Sequence, residues 1–161
     1  MVIDWQFPFV PYFPGDPVWL PNHASSKWIG PIANGFDYAG GGPTGNFTYE
    51  TTFDLTANNA ATFVLAGRLA SDNALEVFLN GVDTGIGLSG GPVCCFENFS
   101  SFQITSGFVA GTNRLDFVVT NYDCGPQCVN PTGLRVEFGS TVPESMTLLY
   151  VGSGLLGISL R

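Results

Sequence analysis

Four cysteines, one histidine, three tryptophans and 13 carboxylates are the side chains of this 161-residue chain best equipped to bind or react. Cys94, Cys95, Cys124 and Cys128 lie in two tight groups inside Gly/Pro-rich loops. A four-cysteine zinc site is normally built from two CxxC-like knuckles, and neither the vicinal pair nor Cys124-x-x-x-Cys128 has that spacing. Disulfides of an exported protein suit the four residues better, and three pairings are open to them. Neighbouring cysteines bridge each other only through a strained ring. Cys94 and Cys95 are therefore expected to reach across to Cys124 and Cys128, in an order that the spacing leaves open.

The other groups do not assemble into a catalytic set. His23 stands alone in a Pro-rich segment, with no G-x-S-x-G turn and no partner to orient it. Two of the 13 acids could fall at a glycoside-cleaving separation by chance, but most alternate outward from strands, as a solvated face does. No enzyme is expected. Binding has better candidates in Trp19, Trp28, Arg68, Asp72 and Asn73. Flat indole faces, those of Trp5, Trp19 and Trp28, suit the C–H faces of sugar rings, although tryptophans also pack onto cores, and Trp28 would serve as a plug at one end. Ser71-Asp72-Asn73 offers acceptors for sugar hydroxyls, against the simpler role of side chains that bond their own backbone in a turn. Arg68, on an apolar strand, needs a carboxylate if it is buried, and Asp72 and Glu137 are available. Calcium would suit an acidic chain, but no D-x-D-x-D-G loop supports it, and no cofactor is expected.

The charge balance narrows the partners. Only Lys27, Arg68, Arg114, Arg135 and Arg161 are basic, and the formal net charge is −8. So few scattered cations cannot neutralise a phosphate backbone, which excludes nucleic acid, or hold the domain surface to anionic lipid heads. Charged residues make up 11% and hydrophobic ones 45%, so the chain is no disordered, solvating polymer. Its 14 Phe, 21 Gly and 11 Pro suit short strands separated by tight turns.

Those strands must position the candidates. Residues 1–45 have no sustained period and read as an extended aromatic, Pro-rich segment packed on a sandwich. From Asn46 alternation sets in: Tyr49, Thr51, Phe53 and Leu55 share one face of Thr48–Leu55. Further strands are expected at Thr62–Leu69, Leu75–Leu79, Val82–Ile86, Ser101–Thr105, Arg114–Thr120 and Gly133–Phe138. Asn80-Gly81 provides a hairpin between two of them, because both residues tolerate positive φ. The expected fold is an all-β antiparallel sandwich over residues 46–139. A linker, 140–145, leads to a hydrophobic tail, 146–161. Met146–Leu160 is an uncharged run of 15 residues before Arg161. As a short helix it would reach roughly 22 Å, less than the hydrocarbon thickness of about 30 Å, with the terminal Arg snorkelling to the headgroups. The first residues, Met1-Val2-Ile3-Asp4-Trp5, lack the basic start of a secretory signal, so an exported protein would have lost its signal or carry it upstream.

Two resemblances extend this reading. Val142-Pro143-Glu144-Ser145, the run containing Gly152-Ser153-Gly154-Leu155-Leu156-Gly157, and Arg161 resemble a bacterial PEP-CTERM sorting signal. That resemblance implies processing by an exosortase, with Pro143, Glu144 and Arg161 as the sorting residues, and anchoring to a membrane through the tail. Ser26-Lys27-Trp28-Ile29-Gly30-Pro31, Tyr49-Glu50-Thr51-Thr52-Phe53-Asp54-Leu55, Ser71-Asp72-Asn73 leading to Leu79-Asn80-Gly81, and Gly107–Phe117 resemble galactose-binding-like jelly rolls. Such modules occur in PEP-CTERM proteins and beside glycosidase catalytic domains. Together these imply an exported, non-catalytic protein of the cell surface or extracellular matrix that binds extracellular polysaccharide. The alternative is a structural or adhesive envelope protein whose partner is another protein.

Overall fold

A computed structural model describes residues 19–31, 44–56, 59–91, 94–123, 125 and 130–139, together with the backbone of 147–151. These residues form β1 (Gly45–Asp54), β2 (Leu65–Asp72), β3 (Ala74–Leu79), β4 (Val82–Leu88), β5 (Ser100–Ile104), β6 (Thr112–Asn121), β7 (Gly133–Phe138) and β8 (Thr147–Val151). Every strand pair is antiparallel, and the described residues contain no helix. All seven strands expected between Thr48 and Phe138 are present. The second starts later than its apolar run because an Asx turn occupies the run's beginning. There Ala61 N–H donates to Asn59 Oδ1 (3.0 Å) and Thr62 N–H to Asn59 O (3.1 Å).

The strands make a sandwich-like pair of sheets, in the orders β4-β3-β6-β1-β8 and β5-β2-β7. The chain passes from one sheet to the other at every connection except the β3–β4 hairpin. Alternation then decides which side chains face the shared core. Tyr49, Phe53, Val77, Leu115, Phe117 and Val119 come from the larger sheet, and Leu65, Leu69, Phe102, Ile104 and Leu134 from the smaller. Burying each such side chain contributes roughly 1.5–3 kcal/mol.

The turn motifs are joints of this frame. Asn80 (φ 52°) and Gly81 (φ 80°) close the β3–β4 hairpin in the left-handed region that the sequence requires there. Asn80 then docks on the start of β6. Its backbone N–H donates to Arg114 O (2.8 Å), its Oδ1 accepts from Arg114 N–H (2.9 Å) and its Nδ2 donates to Asn113 Oδ1 (3.0 Å). Buried Asn113 in turn donates to Val109 O (2.8 Å) and Gly111 O (3.0 Å).

The smaller sheet has a cover. Residues 19–31 lie against it, with Ile29 and Leu134 exchanging backbone hydrogen bonds of 2.9 and 2.8 Å at the β7 edge. The segment leading into β5 closes the other side, where Leu20 N–H donates to Phe96 O (2.9 Å). At the far edge of the larger sheet, β8 pairs with β1 from Thr48↔Val151 to Thr52↔Thr147. The first residues of the expected apolar helix are therefore strand. Residues 152–161 lie outside the described residues, and among those described no helix is long and apolar enough to cross a membrane.

Candidate functional site

Alternation along β2 sends Arg68 and Ala70 to the covered face of the smaller sheet. Ala70 meets Trp19, Trp28 and Phe96 in a second apolar cluster. Trp28 is fully buried, its centroid 4.4 Å from that of Trp19, which stacks on Phe96 at 5.8 Å. The Trp28 indole N–H donates to Leu20 O (2.7 Å), and its backbone N–H to Asn22 Oδ1 (2.8 Å). With no ring face left for a sugar, the stacking role expected of Trp28 is corrected to that of a plug. Trp19, only 8% exposed, shares the plug.

Of the two carboxylates open to Arg68, Glu137 is its partner (Nη2 to Oε2, 2.6 Å), although the Arg68 side chain is 54% exposed. The buried guanidinium is that of Arg135, which binds Glu137 Oε1 (3.1 Å), Ser26 Oγ (2.8 Å) and Pro21 O. The Phe99 ring lies 4.4 Å from the Arg68 guanidinium carbon and 4.9 Å from that of Arg135. Burial pushes the Glu137 pKa up. Hydrogen bonds from Ser26 and Arg68, with the charges of Arg68 and Arg135, outweigh that and leave it lowered.

Ser71-Asp72-Asn73 is the corner where the chain leaves the smaller sheet for the larger. Asp72 and Asn73 are 3% and 1% exposed, so neither presents an acceptor to a glycan as expected. Desolvation raises the Asp72 pKa to about 8, only partly opposed by the hydrogen bond from Asn73 Nδ2. The Asp72–Asn73 peptide is cis. Thr132 Oγ1 donates to Asp72 O (2.6 Å), Ser71 Oγ to Asn73 O, and Asn73 N–H to Thr120 O (3.2 Å). Asn73 Oδ1 accepts from Tyr122 N–H (2.9 Å), so the corner fixes the chain just beyond β6.

The cysteine expectation is likewise corrected. Cys94 and Cys95 are disulfide-bonded to each other. Cys95 sits in the left-handed region (φ 77°), which turns the chain tightly enough for adjacent sulfurs to meet. Its carbonyl accepts from Ser71 N–H (3.0 Å), tying the bridge to the β2–β3 corner. Cys124, Cys128, Pro143, Glu144 and Arg161 lie outside the described residues. His23 is exposed and bonds Ser25 Oγ (2.9 Å). Among the described residues no three His, Cys, Asp or Glu side chains converge as they would around a metal ion.

What the structure does open is a groove of about 430 Å³ on the outer face of the larger sheet, over β3, β4 and the end of β6. Its lining includes Glu76, Asp83, Gly85, Gly87, Thr120 and Tyr122. Gly85 and Gly87 put no side chains of their own on this stretch of β4, where Ile86 and Leu88 also line the groove. A Cβ on Gly87 would stand 2.5 Å from Leu75 O, and Gly85 (φ 72°) follows the register shift between Val77 and Phe78. Asp83 Oδ1 accepts from Gly85 N–H (2.8 Å), while Glu76 projects from β3 into solvent. At the other end Tyr122 is 38% exposed, and Thr120 Oγ1 donates to Asn46 Oδ1 (2.9 Å). Among the described residues the lining contains no Lys or Arg. Arg114, six residues before Thr120 on β6, is bound to Asp116 at 2.7 Å.

A floor with two glycines, one exposed aromatic ring and several oxygen acceptors suit a flat, hydroxylated polymer. Of the five residues expected to bind sugar, none lines this groove, but Asn73 positions its end through Tyr122. The signal for it was the Gly85-x-Gly87 spacing on a strand, which strips one face, together with the aromatic residue that follows β6. No family model, curated protein or solved structure matches the chain.

Proposed function

We propose that this chain is an exported, non-catalytic surface or matrix-associated protein that binds extracellular polysaccharide in the groove over β3 and β4. The single observation behind this reading is the groove itself, a glycine-floored trough with Tyr122 exposed at one end and hydrogen-bonding side chains along it. An aromatic face and a row of acceptors are what a sugar chain needs in order to bind without being cleaved. The repeated passage between sheets, with one hairpin only, supports the galactose-binding-like jelly roll as the fold.

Sorting by an exosortase and anchoring through residues 146–161 belong to the same proposal. Because Thr147–Val151 pairs with β1, the tail enters a membrane as a helix over its whole length only after β8 leaves the sheet.

Affinity electrophoresis of the full chain in gels containing polysaccharides tests the binding. The expected result is retardation by at least one of them, lost in Tyr122→Ala while the thermal transition is unchanged. No retardation by any polysaccharide overturns the binding, and release of reducing ends from any of them overturns the non-catalytic assignment.

A further inference from the structure

Resting on that reading, we infer that the groove selects a cationic amino-sugar polymer, one whose free amines face Glu76 and Asp83. The argument begins from electrostatics. A trough for a neutral glycan needs no net charge, since hydroxyls are satisfied equally by amides, hydroxyls and backbone groups. Among the described residues this trough instead has two carboxylates and no basic side chain, in a chain of net charge −8. Neither carboxylate is neutralised by a described residue of the groove. Glu76 is exposed in the middle of β3, and Asp83 spends one oxygen on Gly85 N–H, leaving the other free for a ligand.

The contrast with the rest of the molecule sharpens the point. Of the four described cations, Arg68, Arg114 and Arg135 each have a carboxylate partner within 3.1 Å, on Glu137 or Asp116, and only exposed Lys27 is in no such pair. Glu76 and Asp83 appear in no such ion pair among the described residues. An anionic polymer would be repelled from this strip. An amino sugar combines the C–H face that stacks on Tyr122 with an ammonium that pairs with a carboxylate. Glycine at positions 85 and 87 lets such a chain approach the β4 backbone closely.

Isothermal titration of the full chain with a glucosamine oligomer and with its fully N-acetylated counterpart tests this, because the two differ only in the charged amine. At about pH 5.5, where ordinary carboxylates are ionised, the amine form is expected to bind about fivefold or more tightly than the acetylated form. That preference should vanish in Glu76→Gln with Asp83→Asn, and at about 0.5 M salt, where the screening length is only a few ångström. Tyr122→Ala should weaken both ligands together. Equal binding of the two forms, or a preference for the acetylated one, overturns this inference and leaves polysaccharide binding standing. A preference for the amine that survives the double substitution also overturns it, by showing that bulk acidity attracts the polymer. Binding of neither oligomer, with neutral polysaccharides still retarding the protein, overturns the inference alone. Loss of all glycan binding overturns both readings.

Discussion

The outer faces of the two sheets have opposite fates. Over the smaller sheet, residues 19–31 and the segment from Phe96 to Phe99 cover the surface, burying Trp28 completely and surrounding Arg135 with acceptors. Over the larger sheet, none of the described residues covers the stretch along β4, and Gly85 and Gly87 place no side chain on it. The first face is rich in the residues usually read as sugar binders, yet they are consumed by packing. The second is poor in them, and for that reason keeps room for a ligand. Accessibility, more than residue type, separates a binding face from a sealed one.

The sharpest way to break this comparison is to open the sealed face. Trp28→Ala removes the largest buried side chain of the cover and should cost about 3–5 kcal/mol, read as a lower urea midpoint, with groove binding intact in the molecules that remain folded. A smaller loss would mean that the cover is loosely held.

The corner between the faces should respond to pH. The folded protein holds a proton on Asp72 that the unfolded chain releases near its ordinary carboxylate pKa of 3.8. Stability should therefore fall as pH rises from about 4 to about 8 and level off above that, by a few kcal/mol in all. Asp72→Asn should abolish that slope and be the more stable protein above about pH 8. Urea titrations of both proteins across this range decide it, and a parallel slope in the variant would reject the buried acid as its source.

Glu137→Gln leaves the buried Arg135 guanidinium without its carboxylate and should destabilise by about 3 kcal/mol. Chemical denaturation would measure this, and Arg68→Ala, which touches only the exposed end of the same network, should cost under about 1 kcal/mol. The smallest effect belongs to the open face. Tyr122→Ala should change stability by no more than about 0.5 kcal/mol while weakening glycan binding about fivefold. Stability and binding thus respond at separate places, and a Tyr122 variant that failed to fold would erase the distinction.

Strand positions were readable because alternation is a local property: Leu115, Phe117 and Val119 must share a face wherever the strand lies. The Asn80-Gly81 hairpin was readable for the same reason, since positive φ is demanded at adjacent residues. The site was less legible. Trp19, Trp28, Asp72 and Asn73 have side chains suited to binding, but whether they meet solvent depends on what the fold brings against them: Trp19 and Trp28 pack on Ala70 and Phe96, while Thr132, Thr120 and Tyr122 hold the corner at Asp72 and Asn73. Glu137 takes both arginines for the same reason, Arg68 from the neighbouring strand β2 and buried Arg135 from two residues earlier on β7.

The amino-acid sequence by itself determined the all-β character, the strand positions and the main hairpin, because period and turn chemistry act between neighbours. Tertiary structure alone decided that Cys94 bridges Cys95, that Thr147–Val151 joins the sheet beside β1, and that the open groove lies over β3 and β4. Those outcomes depend on loop conformation, on pairing between distant strands and on the competition of segments for one surface, which no local pattern encodes.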